Sequence, residues 1–187
     1  MLISGLTEFL IIGSIIYALI VIPSNHNHIS TLYRVSLFIT LVAAALGAVM
    51  FLTAININAY HQYFTFISKH IALTAFIVGA AWGAYNSKLH KLIAGGLVLA
   101  ALASLVINMY TDLSLISMII LLITLAFTGF CIKSNKTSLL FLVLAVTALL
   151  STMVWGAIVK DQDLMIGIYH VCVAVFYVLI SLALKRV

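Results

Sequence analysis

The chain has 187 residues, 65% of them hydrophobic and 7% charged, with a single proline and a formal net charge of +5. A mean hydropathy of +1.30 excludes a soluble globular domain, because a chain of this length cannot hide so much apolar surface from water. Long apolar runs without period-two alternation exclude a membrane barrel too, and leave helices that satisfy their own backbone while crossing about 30 Å of hydrocarbon.

Breaks at polar clusters predict an all-α polytopic membrane protein with seven transmembrane helices: Thr7–Ile22, Leu32–Ala54, Tyr63–Tyr85, Leu89–Met109, Leu113–Ile132, Ser138–Val159 and Leu164–Leu184. The connections are too short for a further domain, so residues 1–187 form one transmembrane unit. The first span is expected to stay in the membrane, since "MLISGLTEFL" lacks a basic n-region and no small-residue cleavage site follows it. The thinnest break is "NMYTDLS" at 108–114. Thr111 and Asp112 are expected to cap the fifth helix there; without that turn the count falls to six.

Seven spans place the N-terminus and the loops after the second, fourth and sixth helices on one side. Seven of the nine basic residues, Arg34, Lys88, Lys91, Lys133, Lys136, Lys185 and Arg186, fall on the other. The positive-inside rule then puts the C-terminus in the cytoplasm and the N-terminus outside, in a cell inner (plasma) membrane. Topology and attraction to anionic lipid account for the net charge, so no nucleic-acid partner is read from it.

All four acidic residues, Glu8, Asp112, Asp161 and Asp163, belong to the N-terminal side, as does His61. His70 and His170 each lie about seven residues inside helices that start on that side, roughly 10 Å deep at 1.5 Å per residue. Two imidazoles at one depth in parallel helices are expected to meet. "HIALTAFIV" (70–78) also aligns with "HVCVAVFYV" (170–178), and "TEFLIIGSII" (7–16) with "TDLSLISMII" (111–120). The pattern suggests a parallel internal repeat, three helices, a linker helix and three more, with units near 7–85 and 111–184. In that repeat Glu8 corresponds to Asp112 and His70 to His170.

Ionisable groups inside a membrane are costly and face partners or cavities, so His70, His170, Glu8, Asp112 and His61 are the candidate site. Imidazoles and carboxylates suit zinc or iron, and an open position would activate water for hydrolysis of a lipid or small amphiphile. Alternatively, His70 and His170 would be the axial ligands of haem b in an electron-transfer or sensor protein. A third reading is a small-molecule transporter, from the repeat plan alone. The bland alternatives are that Glu8 and Asp112 cap helices and that each histidine is a neutral imidazole bonded to hydroxyls or carbonyls. His61 and His70, nine residues apart, point about 180° from each other on one helix, so they serve one centre only if His61 lies in the preceding loop. "SNHNHIS" (24–30), with His26 and His28, reads as a solvated loop. Gly47, Gly79 with Gly83, and Gly95 with Gly96 read as places of close helix packing.

The last span, with "GIYHVCVAVFYVLI" (167–180), resembles the last helix of the seven-helix membrane hydrolases that include alkaline ceramidases and the progestin/adiponectin-receptor group. The resemblance implies a histidine site toward the N-terminal side and zinc-dependent cleavage of lipid amides. The family's last helix carries His-x-x-x-His; here Ala174 and Ile166 stand four residues after and before His170. A zinc site on that plan must recruit His70 or His61, with Asp112, Asp163 or Glu8.

Overall fold

The computed structural model describes residues 2–23, 29–53, 55–111 and 113–185; Asp112, Arg186 and the loop histidines His26 and His28 lie outside them. Seven helices form the described chain: α1 (Leu2–Val21), α2 (Ser30–Leu52), α3 (Asn58–Ala80), α4 (Lys88–Tyr110), α5 (Ser114–Ile132), α6 (Lys136–Ile158) and α7 (Gln162–Leu184). Each is long and apolar enough to cross a membrane, and no strand occurs among the described residues.

Helix starts differ from the expected spans where partners from elsewhere stabilise them. α1 begins at Leu2 rather than Thr7 because the Asp163 carboxylate, from α7, accepts the N–H groups of Ile3 (3.2 Å) and Ser4 (2.9 Å). These are orphan donors of a first helical turn, and a carboxylate there also meets the positive end of the helix dipole. α3 begins at Asn58 rather than Tyr63, so His61 sits on its first turn and not in a loop. The turn between α4 and α5 is real, but Thr111 does not cap α5. Its N–H and hydroxyl both donate to the Ile107 carbonyl, closing α4, and α5 starts behind Leu113 with no side-chain cap. The local hydroxyl-to-carbonyl bond four residues back has won over the cap. Ser87, Asn135 and Asp161 do cap α4, α6 and α7, accepting from His90, Ser138 and Leu164 N–H.

α1 packs against α2 and α7, and α7 also against α6; α3 packs against α2, α4 and α5, and α5 also against α4 and α6. Thus the first helix meets the seventh as the fifth meets the third. The buried side of α1 is the stripe Ser4, Glu8, Ile11, Ile15, Ala18, a three- and four-residue spacing that keeps one face inward. Ile15, Leu37, Phe76, Ile77, Leu125, Phe176 and Ile180 fill the middle of the bundle, while Ile20, Leu92, Leu99 and Phe38 stay exposed on the perimeter where lipid would lie.

Two expected glycine contacts hold and one does not. A Cβ on Gly79 would stand 2.7 Å from the backbone nitrogen of Tyr33, so α2 and α3 approach at that point only because the side chain is missing. A Cβ on Gly47 would overlap the Glu8 carboxylate. Gly95 and Gly96 face open space, with nothing within 4 Å of an added Cβ.

Candidate functional site

Glu8 is on the second turn of α1, His61 on the first turn of α3 and His170 on the third turn of α7. All three helices start at the same end of the bundle as the N-terminus. At 1.5 Å per residue these side chains leave their helices within about 5 to 12 Å of that end.

The three converge on one atom. Glu8 Oε1 lies 3.4 Å from His170 Nε2 and 4.0 Å from His61 Nε2. Glu8 and His170 are buried, at 3% and 7% exposure, so the groups have little water to turn to. The other face of His170 is tied to α1, with Nδ1 3.2 Å from the Ser4 carbonyl oxygen and 3.0 Å from Thr7 Oγ1. The Thr7 hydroxyl already donates to the Ile3 and Ser4 carbonyls (2.9 and 3.0 Å), so its oxygen acts as an acceptor toward the ring. Two acceptors at Nδ1 put the ring proton there and leave a lone pair on Nε2. Nε2 stands 3.4 Å from Glu8 Oε1, a separation that a proton shared between the two groups or a bound cation would turn into an attraction.

Further residues shape this arrangement. Gly47, on α2, leaves the volume that the Glu8 carboxylate occupies, and its missing Cβ would also come within 3.0 Å of His61 Nε2. Asp163 holds Ser4 through both Ser4 N–H and Ser4 hydroxyl, and so fixes the carbonyl that orients His170. On α7, Gly167 lets Ile3 lie against the helix backbone, since an added Cβ would be 2.5 Å from Ile3 Cγ2. Sequence reading did not reach Ser4, Thr7 or this use of Asp163. The signal was present in the spacing: Ser4 and Glu8 are one turn apart, on one face, in a helix otherwise made of oil.

Beside the convergence lies a cavity of about 260 Å³, bounded by Glu8, His61 and His170 at one end and by apolar side chains such as Leu73, Leu149, Val173 and Phe176. Its polar wall away from Glu8 is a hydroxyl chain: Tyr177 donates to Thr40 Oγ1 (3.3 Å), which lies 2.8 Å from Ser68 Oγ. Tyr169 and Thr65 also line it.

His70 is elsewhere. It is buried, but does not border the Glu8 cavity. Its Nδ1 meets the Ser117 hydroxyl of α5, which lies 3.0 Å from Ser104 Oγ on α4, while Asn108 donates to the Ser104 carbonyl at 2.7 Å. The structure therefore does not bring His70 and His170 together; the sequence symmetry that pairs them places each beside a different helix, α5 for His70 and α1 for His170. His70 sits in a π-helical stretch, Ser68–Ala72, within α3. His61 and His70 turn to different partners, in keeping with their nine-residue separation.

Whether an ion fits can be judged from separations. Ligand bonds of about 2.0 to 2.2 Å in a tetrahedron hold two ligand atoms about 3.4 Å apart. Glu8 and His170 stand at that separation; His61, at 4.0 Å from Glu8 Oε1, is about 0.6 Å wide of it by the same tetrahedral measure. As the side chains stand, no group of three or more His, Cys, Asp or Glu among the described residues forms a metal-holding set. No protein-family model matches the chain, and neither does any curated protein or solved structure.

Proposed function

We propose that the chain is a metal-dependent hydrolase of the cell inner membrane, acting on a lipid or small amphiphile, with Glu8, His61 and His170 as the residues that hold the ion. The observation that carries the reading is the convergence of His170 Nε2, at 3.4 Å, and His61 Nε2, at 4.0 Å, on Glu8 Oε1. Two histidines and one carboxylate are a common donor set for catalytic zinc and for non-haem iron. A ligating histidine commonly donates its second ring N–H to a carbonyl, as His170 does to Ser4. A zinc or iron ion bound there would supply an activated water molecule for hydrolysis.

The chain's own residues do the rest. Ser4 and Thr7 keep the His170 proton on Nδ1, Gly47 leaves room for the carboxylate, and the apolar walls hold the substrate body while excluding bulk water. The count of basic residues by side supports an orientation with this site in the outer half of the membrane. No observation favours haem, since His70 and His170 border different cavities.

The test is elemental analysis and an absorption spectrum of the purified full chain. Colourless protein with about one equivalent of zinc or iron, lost in His170→Ala, is the expected result. A Soret band, or metal-free protein after purification with zinc or iron supplied, would overturn the reading.

A further inference from the structure

Lys69 is the only cation in the middle of a described span: it is the twelfth residue of the 23 in α3, and among the described residues no carboxylate lies within ion-pair distance of it. An ionisable side chain at that depth marks a functional surface by default. His61, Thr65 and Lys69 recur every four residues, so they form one stripe of α3, and this stripe borders two cavities at once. One is the apolar cavity beside Glu8. The other, about 300 Å³, is lined also by Gln62, Asn108 and Ser114.

The second cavity has a distinct chemistry. Gln62, Thr65 and Ser114 are neutral and can donate hydrogen bonds, Asn108 lines the wall with its amide turned to Ser104 and Ser117, Lys69 adds a positive charge, and no described carboxylate borders it. Lys69 is exposed, and because a long side chain on a helix leans toward the helix N-terminus, it has room to lie along the stripe it shares with Thr65 and His61. The π-helical stretch that begins at Ser68 contains Lys69; such insertions into a helix are frequent at functional sites.

We propose that this second cavity binds the anionic head of the amphiphile whose apolar body and reacting bond occupy the Glu8 cavity, with Lys69 as the residue that selects the charge. The inference rests on the proposed hydrolase reading for the location of the reacting bond, and adds the substrate class: single-chain amphiphiles carrying a phosphate or another oxyanion. Lys69 and the amide of Gln62 hold the head by charge-assisted and neutral hydrogen bonds, and the stripe His61, Thr65, Lys69 is the shared wall across which head and chain are joined.

The experiment measures binding of dodecyl phosphate, dodecanol and inorganic phosphate to the purified full chain by native mass spectrometry, together with metal content. Dodecyl phosphate is expected to bind at least about tenfold more tightly than either of the others, a ratio that collapses in Lys69→Met and survives in Lys69→Arg. Gln62→Ala is expected to weaken dodecyl phosphate alone, which guards against a Lys69→Met protein that fails to fold. Metal content is expected to be unchanged in Lys69→Met, and dodecyl phosphate binding to be retained by wild-type protein after the metal is removed with a chelator. Absence of metal with intact charge selection would therefore remove the hydrolase reading and leave the head-binding cavity standing. Equal binding of dodecanol, inorganic phosphate matching dodecyl phosphate, or full selection in Lys69→Met would overturn the proposal.

Discussion

Glu8 Oε1 and His170 Nε2 stand 3.4 Å apart across the interface of the first and last helices, while Ser4 and Thr7 engage the other ring nitrogen of His170. The pair is buried in an interior that offers few other partners. Its members depend on each other, and each of the following expectations comes from that dependence or from the residues that support it.

Removing one member should cost more than removing both. A lone buried ionisable group left without its partner typically destabilises by about 3 to 5 kcal/mol, whereas replacement of both by apolar side chains of similar volume is often neutral. Glu8→Leu with His170→Phe should therefore be more stable to heat than His170→Phe alone. Additive losses in the thermal midpoints of the two singles and the double would count against a coupled pair.

Gly47→Ala should damage the site by sterics alone. Its Cβ would overlap the Glu8 carboxylate, and overpacking of this kind costs about 1 to 3 kcal/mol. The loss should be recovered in the double variant Gly47→Ala with Glu8→Ala, because the new methyl then fills vacated space. A Gly47→Ala protein with unchanged stability and unchanged metal content would show that α2 does not confine Glu8.

Asp163→Ala should lower stability and weaken the site together, because Asp163 acts on the site through α1. Its carboxylate caps α1 at Ile3 and Ser4, and Ser4 orients His170. Asp163→Asn keeps an acceptor oxygen and loses the charge that favours the helix N-terminus, so it should lie between wild type and alanine in both thermal midpoint and metal retention. Equal behaviour of the two variants would show that charge plays no part in the cap.

Metal retention should fall as the pH is lowered, since an imidazole nitrogen must be free of its proton to ligate. Titrating bound metal between about pH 8 and pH 5 in wild type and in His61→Ala tests this. The expected outcome is weaker retention at every pH in the variant; metal held as firmly in acid as at neutrality would point away from histidine ligands.

His70→Ala should separate structure from site. The ring bonds Ser117 within a buried network on α4 and α5, where loss of one hydrogen-bond partner costs about 1 to 3 kcal/mol. Thermal stability is expected to drop while metal content stays at the wild-type level. Metal loss in folded His70→Ala would return this residue to the ligand set.

Much of the architecture was legible without coordinates. Seven apolar runs and polar breaks such as that at Thr111 follow from the cost of placing polar backbone and charge in hydrocarbon, a constraint that acts on each segment independently of its neighbours. Glu8, His61 and His170 were recognisable as candidates for the same reason. Their grouping was not: the internal match between the two histidine helices pairs His70 with His170, yet each histidine bonds the helix that packs beside it, and only packing says which helix that is. Helix rotation and contact between distant segments likewise decided that Gly47 on α2 clears room for Glu8, and that Asp163 on α7 starts α1 early and steadies Ser4. Burial cost is written residue by residue along the chain, while proximity is created only when the helices come together.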